Sequence, residues 1–215
     1  MRKTLLAVAL TLVCGLWSAS QAKAGSSICD AVVSNLVANC GFETGDFTGW
    51  TLSGNTTNPG GNYYGVDAFD ASSGNYGAYL SEDEIASTSP VVLSQVLPIQ
   101  TGKNWDVTIT FWLEQDTAPT TGYTHTFSAS LGGDTLLSLT PTVALPGPNG
   151  VWTQYTFTVA DSAITSGLLS FTARNDDSYW SLDDVSVVAP EPSSVLLVGT
   201  ALGALLLLRR VTAAE

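Results

Sequence analysis

Strict alternation of apolar and polar residues runs through the middle of this chain and restricts its fold more than any other feature. In one run, apolar side chains occupy every second position from Trp105 through Ile109 to Leu113, separated mainly by Asp and Thr. Similar alternation occurs over residues 123–131 and 151–159. Because successive side chains of a β-strand point to opposite faces, this pattern predicts strands that each bury one face.

Six further short segments have a strand-like composition and are separated by the glycine, proline, asparagine and aspartate residues that are typical of turns. These segments are 49–53, 76–81, 91–97, 135–140, 167–173 and 179–188. Together the segments predict an all-β fold, an antiparallel β-sandwich or jelly roll. We expect the glycine- and asparagine-rich stretch 54–75 to be the longest loop region and the rim at which a ligand binds.

The predicted β domain, residues 25–188, is strongly acidic. It contains 17 Asp and Glu residues but only two basic residues, Lys103 and Arg174. Such a surface repels a phosphate backbone and offers no polybasic patch to anionic lipids. Nucleic-acid binding is therefore excluded as a function.

The first 24 residues have the features of a secretory signal peptide. Arg2 and Lys3 precede an apolar stretch over residues 5–17, and an Ala-Lys-Ala sequence ending at Ala24 supplies a small-x-small cleavage site. About 13 apolar residues are too few to cross the ~30 Å hydrocarbon core of a bilayer as a helix. We therefore expect a signal helix that is removed after Ala24, and export of the rest of the chain.

The C-terminal segment, residues 189–215, has a second targeting pattern. A Pro-Glu-Pro sequence precedes an uncharged apolar stretch over 195–208, and a pair of arginines follows it. The defining positions are Pro190, Glu191, Pro192, Arg209 and Arg210. A helix of this length rises about 21 Å, which predicts a short transmembrane helix with its arginines on the cytoplasmic side.

This ordered combination resembles the PEP-CTERM sorting signal of Gram-negative bacteria, a tail that is also catalogued as "ice-binding protein C-terminal domain". The resemblance implies transient anchoring in the inner membrane and cleavage near the Pro-Glu-Pro sequence by an exosortase-type enzyme. It also implies delivery to the cell surface or the extracellular matrix. An ordinary single-pass anchor, which needs no processing, is the alternative.

Two of the three cysteines, Cys29 and Cys40, remain after the predicted signal peptide is removed. An exported chain meets an oxidising compartment, so an even pair predicts a disulfide that fixes the N-terminal segment. The alternative is two free thiols, with Cys40 as a small buried residue.

Both ends of the β domain resemble carbohydrate-binding modules with a galactose-binding-like jelly roll. Residues 35–50, Asn-Leu-Val-Ala-Asn-Cys-Gly-Phe-Glu-Thr-Gly-Asp-Phe-Thr-Gly-Trp, are similar to the opening of these modules, and residues 179–187 are similar to their closing strand. In those modules an opening Glu and a closing Asp commonly hold a structural calcium. The resemblance thus implies a calcium site made by Glu43 with Asp183 or Asp184, whose oxygens suit this ion. A solvated pair of acids at a strand end is the alternative.

Signatures of catalysis are few in the sequence. The single histidine, His125, is expected to be a strand residue, and no Gly-x-Ser-x-Gly nucleophile turn is present. The densest acidic run, residues 82–84, is interpreted as a solvated turn. A glycosidase pair among the many acids stays open, because sequence spacing does not show which carboxylates face each other.

We therefore expect a non-enzymatic β-sandwich that binds an extracellular polysaccharide. Sugar recognition needs flat aromatic faces beside amide and carboxylate groups. Residues with these properties are Asn62, Tyr63, Tyr64, Asp67, Tyr76 and Trp112. Trp112 shares the parity of the polar residues in its strand, so it is expected to point away from the apolar face. The alternatives are a structural matrix protein without a small ligand and, third, a glycoside hydrolase or lyase.

Overall fold

The structure is a computed structural model that describes residues 26–54, 56, 64–80, 90–102, 105–116, 122–140, 151–176 and 178–189. The predicted signal helix, the predicted sorting segment and the acidic run 82–84 lie outside these residues. Within the described ranges, no helix is long and apolar enough to cross a membrane.

The described residues contain ten β-strands. They are β1 (Thr51–Gly54), β2 (Tyr64–Asp67), β3 (Gly77–Leu80), β4 (Val91–Val96), β5 (Asp106–Gln115), β6 (His125–Leu131), β7 (Asp134–Leu139), β8 (Thr153–Ala160), β9 (Leu168–Asn175) and β10 (Trp180–Val188). Short 3₁₀ turns occur at Ile28–Ala31 and Asp161–Ala163. Nine of these strands overlap the nine segments that the sequence predicts as strands. The exception is β2, because it lies within the stretch 54–75 that we expected to be loop; that expectation was wrong for residues 64–67.

The strands form two five-stranded sheets in which all neighbours run antiparallel. We call the sheet with the order β2-β3-β10-β5-β8 the front sheet and the sheet with the order β1-β4-β9-β6-β7 the back sheet. The prediction of an antiparallel all-β architecture is confirmed. The last strand, β10, lies in the middle of the front sheet, between β3 and β5.

The apolar side chains of the alternating strands meet between the two sheets. Phe111 of β5 is fully buried, and its ring contacts Phe171 of β9 edge-on, with ring centroids 5.2 Å apart. The Phe111 ring also lies 6.3 Å from Phe127 of β6 and 5.6 Å from Tyr155 of β8. Aromatic rings at these distances stabilise a core by area burial and by their mutual orientation. Phe111 is therefore the central contact between the sheets.

The N-terminal segment, residues 26–50, lies against β10 where β3 has ended. The backbone N–H of Leu36 donates to the carbonyl oxygen of Val187 at 2.9 Å, and the N–H of Val185 donates to the carbonyl oxygen of Cys40 at 2.9 Å. A disulfide joins Cys29 to Cys40, with their Cα atoms 6.1 Å apart, as predicted. The segment thus takes the place of a strand partner for the second half of β10.

Candidate functional site

The outer face of the front sheet carries a pair of tyrosines. Register aligns Gly65, Tyr79, Ser181 and Glu114 across β2, β3, β10 and β5, all on the face opposite the core. The ring of Tyr79 lies over Gly65, where a Cβ atom would come within 2.5 Å of the Tyr79 hydroxyl oxygen. The ring of Tyr179, just before β10, lies 5.7 Å from that of Tyr79. Glycine at position 65 therefore makes room for an aromatic platform.

Both tyrosines of this platform keep their protons at neutral pH. Burial, followed by the negative charges of Asp67 and Asp70, raises the pKa of Tyr79. Burial and nearby carboxylates, of which Asp70 contributes most, raise the pKa of Tyr179 to about 12. The two hydroxyl groups are therefore neutral hydrogen-bond donors over the physiological range.

Trp112 lies on the same outer face, in the next row of the sheet. It alternates with the buried residues Phe111 and Leu113, and its strand neighbours are Asp183 on β10 and Gln154 on β8. The side chain is half-buried, and its Nε1 atom is buried without a hydrogen-bond acceptor in the described part of the chain. The structure therefore places an indole with an unused donor beside an exposed amide.

Two acids close to the platform organise the loop that follows β2. Asp70 is 4% exposed, and one of its oxygens accepts a hydrogen bond from the Ser181 hydroxyl at 2.5 Å. Asp67 accepts hydrogen bonds from the N–H groups of Phe69 and Asp70, at 2.8 and 3.2 Å. Burial, and secondly the adjacent Asp67, raise the pKa of Asp70 to about 7. Both carboxyl groups thus hold the local chain in place.

Glu114 is the half-buried carboxylate next to the aromatic residues. Burial and the neighbouring Asp116 raise its pKa, and Asp116 itself accepts a hydrogen bond from the Ser178 hydroxyl at 2.8 Å. The described residues include one arginine and no lysine. This arginine, Arg174 of β9 in the back sheet, already pairs with Asp176 at 2.7 Å. The aromatic surface therefore lies in a negative electrostatic environment.

The sequence candidates for glycan binding are only partly brought together. Tyr64 faces the core, and its hydroxyl donates to the Thr56 carbonyl at 2.8 Å, so it does not join the outer surface. Tyr76 is 37% exposed in the loop after β2. Asn62 and Tyr63 lie outside the described residues. Sequence analysis missed Tyr79, whose parity opposite to that of buried Ala78 and Leu80 could have indicated an outward position.

A second feature is a loop held by carboxylates. Asp183 is fully buried, and one of its oxygens accepts the N–H groups of Ser72 and Ser73 at 2.8 and 3.0 Å. Glu43 accepts the N–H groups of Asn75 and Tyr76 at 2.7 and 3.1 Å. Two of the predicted calcium ligands thus bind the same segment, residues 72–76, from the last strand and from the N-terminal segment.

Asp184 completes this carboxylate cluster with an unusual backbone conformation. Its φ of 52° coincides with a register shift in the pairing of β10 with β5. One carboxylate oxygen accepts hydrogen bonds from the hydroxyl groups of Ser27 and Ser73, the latter at 2.9 Å. The other oxygen, Oδ2, is buried and has no hydrogen-bond partner among the residues that the structure describes. The bulge therefore turns a second buried acid to the same side of β10 as Asp183, where both carboxylates bind Ser73.

The two adjacent buried acids strongly disfavour a full double negative charge. Burial, and secondly the charge of Asp184, raise the pKa of Asp183 to about 8. A hard cation would relieve this repulsion, and carboxylate oxygens are the donors that calcium prefers. The unpartnered Oδ2 atom of Asp184 fits such a ligand. Cys29 and Cys40, which lie near Asp30, are joined in the disulfide and therefore are not metal ligands.

Comparison with known proteins finds similarity at the level of architecture. No family model matches the chain, and no curated protein matches it. Carbohydrate-binding modules are among the solved structures that resemble it. One is TmCBM61, determined in complex with β-1,4-galactotriose, with 20% identity, a TM-score of 0.48, and coverage of 73% of this chain and 99% of that one.

Two other solved structures represent different activities. The xylan-binding CBM22-1 domain of Paenibacillus barcinonensis Xyn10C has 18% identity and a TM-score of 0.42, covering 71% of this chain and 92% of that one. A cyclase from Fischerella sp. TAU has 17% identity and a TM-score of 0.48, covering 74% of this chain and 97% of that one.

Proposed function

We propose that the β domain binds an extracellular polysaccharide and leaves its glycosidic bonds intact. The observation that carries this proposal is the pair of neighbouring rings of Tyr79 and Tyr179 on the outer face of the front sheet. Trp112 is a separate aromatic residue of the same face, because Asp183, its neighbour on β10, is buried under the loop that follows β2. Sugar rings pack their C–H faces on flat aromatic side chains, and their hydroxyl groups bond to carboxylates and amides. Glu114 and Gln154 supply such groups next to the rings.

Two of the acids near the tyrosine platform, Asp67 and Asp70, are already engaged in hydrogen bonds that shape the loop, which supports binding rather than cleavage. Glycoside hydrolysis needs two carboxyl groups that reach the scissile bond from suitable sides. Asp70 is buried against Ser181, and Asp67 accepts two hydrogen bonds from its own turn. These contacts support a role for both acids in shaping the loop.

The test is retention of the protein by polysaccharides in affinity electrophoresis, with the polymer of the source organism and a panel of neutral glycans. Trp112→Ala and Tyr79→Ala are each expected to weaken retention about tenfold, because an aromatic contact contributes about 1–1.5 kcal/mol. Tyr123→Ala is the matched control, since Tyr123 is 38% exposed and precedes β6 of the back sheet.

The outcomes separate the three candidate functions. Retention that falls in both the Tyr79 and the Trp112 variants but not in the control supports glycan binding. A folded protein that no polysaccharide retains would favour a structural matrix protein without a small ligand. Release of new reducing ends from the polymer would favour a glycoside hydrolase or lyase.

We also propose that calcium stabilises the domain at the buried carboxylate cluster. Asp183 and Asp184 would hold the ion, and Glu43 remains a predicted ligand although its oxygens accept hydrogen bonds from Asn75 and Tyr76. Bound calcium would neutralise the two buried charges. Its support is the unpartnered oxygen of Asp184 beside a second buried acid.

Export and sorting are proposed from the two terminal segments. We propose that the mature protein begins at Gly25 and loses the segment that follows about Pro190 through an exosortase-type enzyme, after transient anchoring in the inner membrane. Intact-mass measurement of the protein from its native host tests both steps. A mature product that still contains residues 205–208 would contradict the sorting step, though not export, while a retained signal segment would contradict cleavage after Ala24.

A further inference from the structure

The strand at one end of the front sheet, β8, lacks the features that usually prevent edge strands from pairing with other chains. It pairs only with β5 in the described structure, over eight residues without a register shift. Its sequence, Thr-Gln-Tyr-Thr-Phe-Thr-Val-Ala, contains no charge and no proline. Natural proteins protect such edges with charges, prolines, bulges or short strands, because unpaired backbone groups bind further strands.

The other three edges of the two sheets carry such protection. β1 has four residues and ends at Gly54, whose φ is 83°. β2 also has four residues and ends at the acidic Asp67. β7 begins with Asp134 and has a register shift against β6. Among the described strands, β8 is therefore the one long edge that remains open to pairing.

The side chains of β8 add an apolar component to this open edge. Tyr155 and Phe157 are half-buried on the core face, and their rings stack in parallel planes with centroids 6.4 Å apart. Val151, just before the strand, is 44% exposed. On the outer face, Gln154, Thr156 and Thr158 are exposed and uncharged. An added strand would cover the aromatic edge without bringing charges together within the strand pair.

We propose that two copies of this chain associate through antiparallel pairing of their β8 strands, which joins their front sheets into one continuous sheet. A two-fold axis at Thr156 pairs Tyr155 of each copy with Phe157 of the other, and keeps both aromatic rings on the core face. Cross-strand aromatic pairs of this kind stabilise antiparallel sheets. In this register an identical strand places an aromatic residue opposite each aromatic residue of β8. This match favours a second copy of the chain as the partner over an unrelated peptide.

The electrostatics of the chain predict how this association depends on salt. The formal net charge of the chain is −12, so two copies repel each other at long range. The contact strand is uncharged, so low ionic strength strengthens no attraction between the two β8 strands. Added salt screens the repulsion between the copies. The β8 dimer is therefore expected to become more stable as ionic strength rises.

Site-directed cross-linking of the protein in the form in which it is exported tests the register. Thr156→Cys places the two introduced thiols directly opposite each other, with Cα atoms about 4.5–5.5 Å apart, within the range that a disulfide spans. Thr158→Cys is the matched control on the same exposed face, because Thr158 pairs with Gln154 of the second copy and its thiols are too far apart. We expect covalent dimers from Thr156→Cys in most of the protein, and at least about tenfold less from Thr158→Cys.

Sedimentation velocity of the unmodified chain provides the second measurement. We expect the fraction of dimer to increase with salt concentration. We also expect Thr156→Lys to convert the dimer to monomers, because the two lysines repel each other at the axis. Ser53→Lys, which adds a lysine to the β1 edge, is the charge control and should leave the dimer intact. A monomeric parent chain, equal cross-linking at positions 156 and 158, or a monomer that binds an extended peptide at β8 would each overturn the proposal.

Discussion

Replacing Phe111 by alanine is expected to lower the free energy of unfolding by about 3–5 kcal/mol, the usual cost of removing a buried phenylalanine from a packed core. The Phe111 ring is fully buried and contacts rings from β6, β8 and β9. Loss of the ring leaves a cavity between the two sheets. The surrounding rings can fill this cavity only if they move out of their present packing. Urea unfolding followed by tryptophan fluorescence measures the change.

The neighbouring residue, Trp112, is the matched control for this prediction. Its side chain lies on the opposite face of the same strand and is only half-buried. Trp112→Ala is therefore expected to cost clearly less stability than Phe111→Ala while it reduces polysaccharide retention. Equal destabilisation by the two substitutions would contradict the assignment of position 111 to the core and of position 112 to the outer face.

Calcium is expected to raise the free energy of unfolding by about 2.7 kcal/mol when its free concentration is 100 times its dissociation constant. For a domain of this size, that corresponds to a rise in melting temperature of about 5–10 °C. Asp184→Asn should abolish the response, because it removes the carboxylate with the unpartnered oxygen. Asp134→Asn is the control, since Asp134 is an exposed acid at the start of β7. Differential scanning calorimetry with calcium and with chelator measures the effect.

The pH dependence of this response has a defined sign. The pKa of Asp183 is raised to about 8 in the metal-free protein, so calcium must displace a proton from it near neutral pH. The stabilisation by calcium should therefore weaken as the pH falls from 8 to 6. Glu43→Gln separates the two roles of Glu43, because loss of the calcium response identifies a ligand, whereas an unchanged response identifies a residue that only holds the loop. Identical melting curves with calcium and with chelator would remove the metal site.

Alternation predicted most of the fold because each long strand buries one face. The runs around Ile109, Phe127 and Phe157 show period two clearly, and all became strands. β2 was missed since its four residues include Gly65 and follow a stretch rich in Gly and Asn. Position 65 is glycine because the ring of Tyr79 packs directly over it. This is a tertiary contact that cannot be predicted from the local sequence.

The candidate site was less predictable because it depends on the order of strands in the front sheet. The outward position of Trp112 follows from parity alone. Tyr79 and Tyr179 lie about 100 residues apart in the chain. They become neighbours only because β10 inserts between β3 and β5. Similarly, Asp183 and Glu43 act on one loop through hydrogen bonds to residues 72–76, which spacing in sequence does not reveal.

The central place of β10 in the front sheet has a consequence for the time at which this domain can fold. Without residues 180–188, β3 and β5 have no common neighbour, and the N-terminal segment lacks the strand that Leu36 and Cys40 bind. These contacts join residues about 150 positions apart, so their formation carries a large loop-closure cost and slows folding. We therefore expect a growing chain to complete the front sheet only after its last strand has been synthesised, an order of events that would suit the export proposed above.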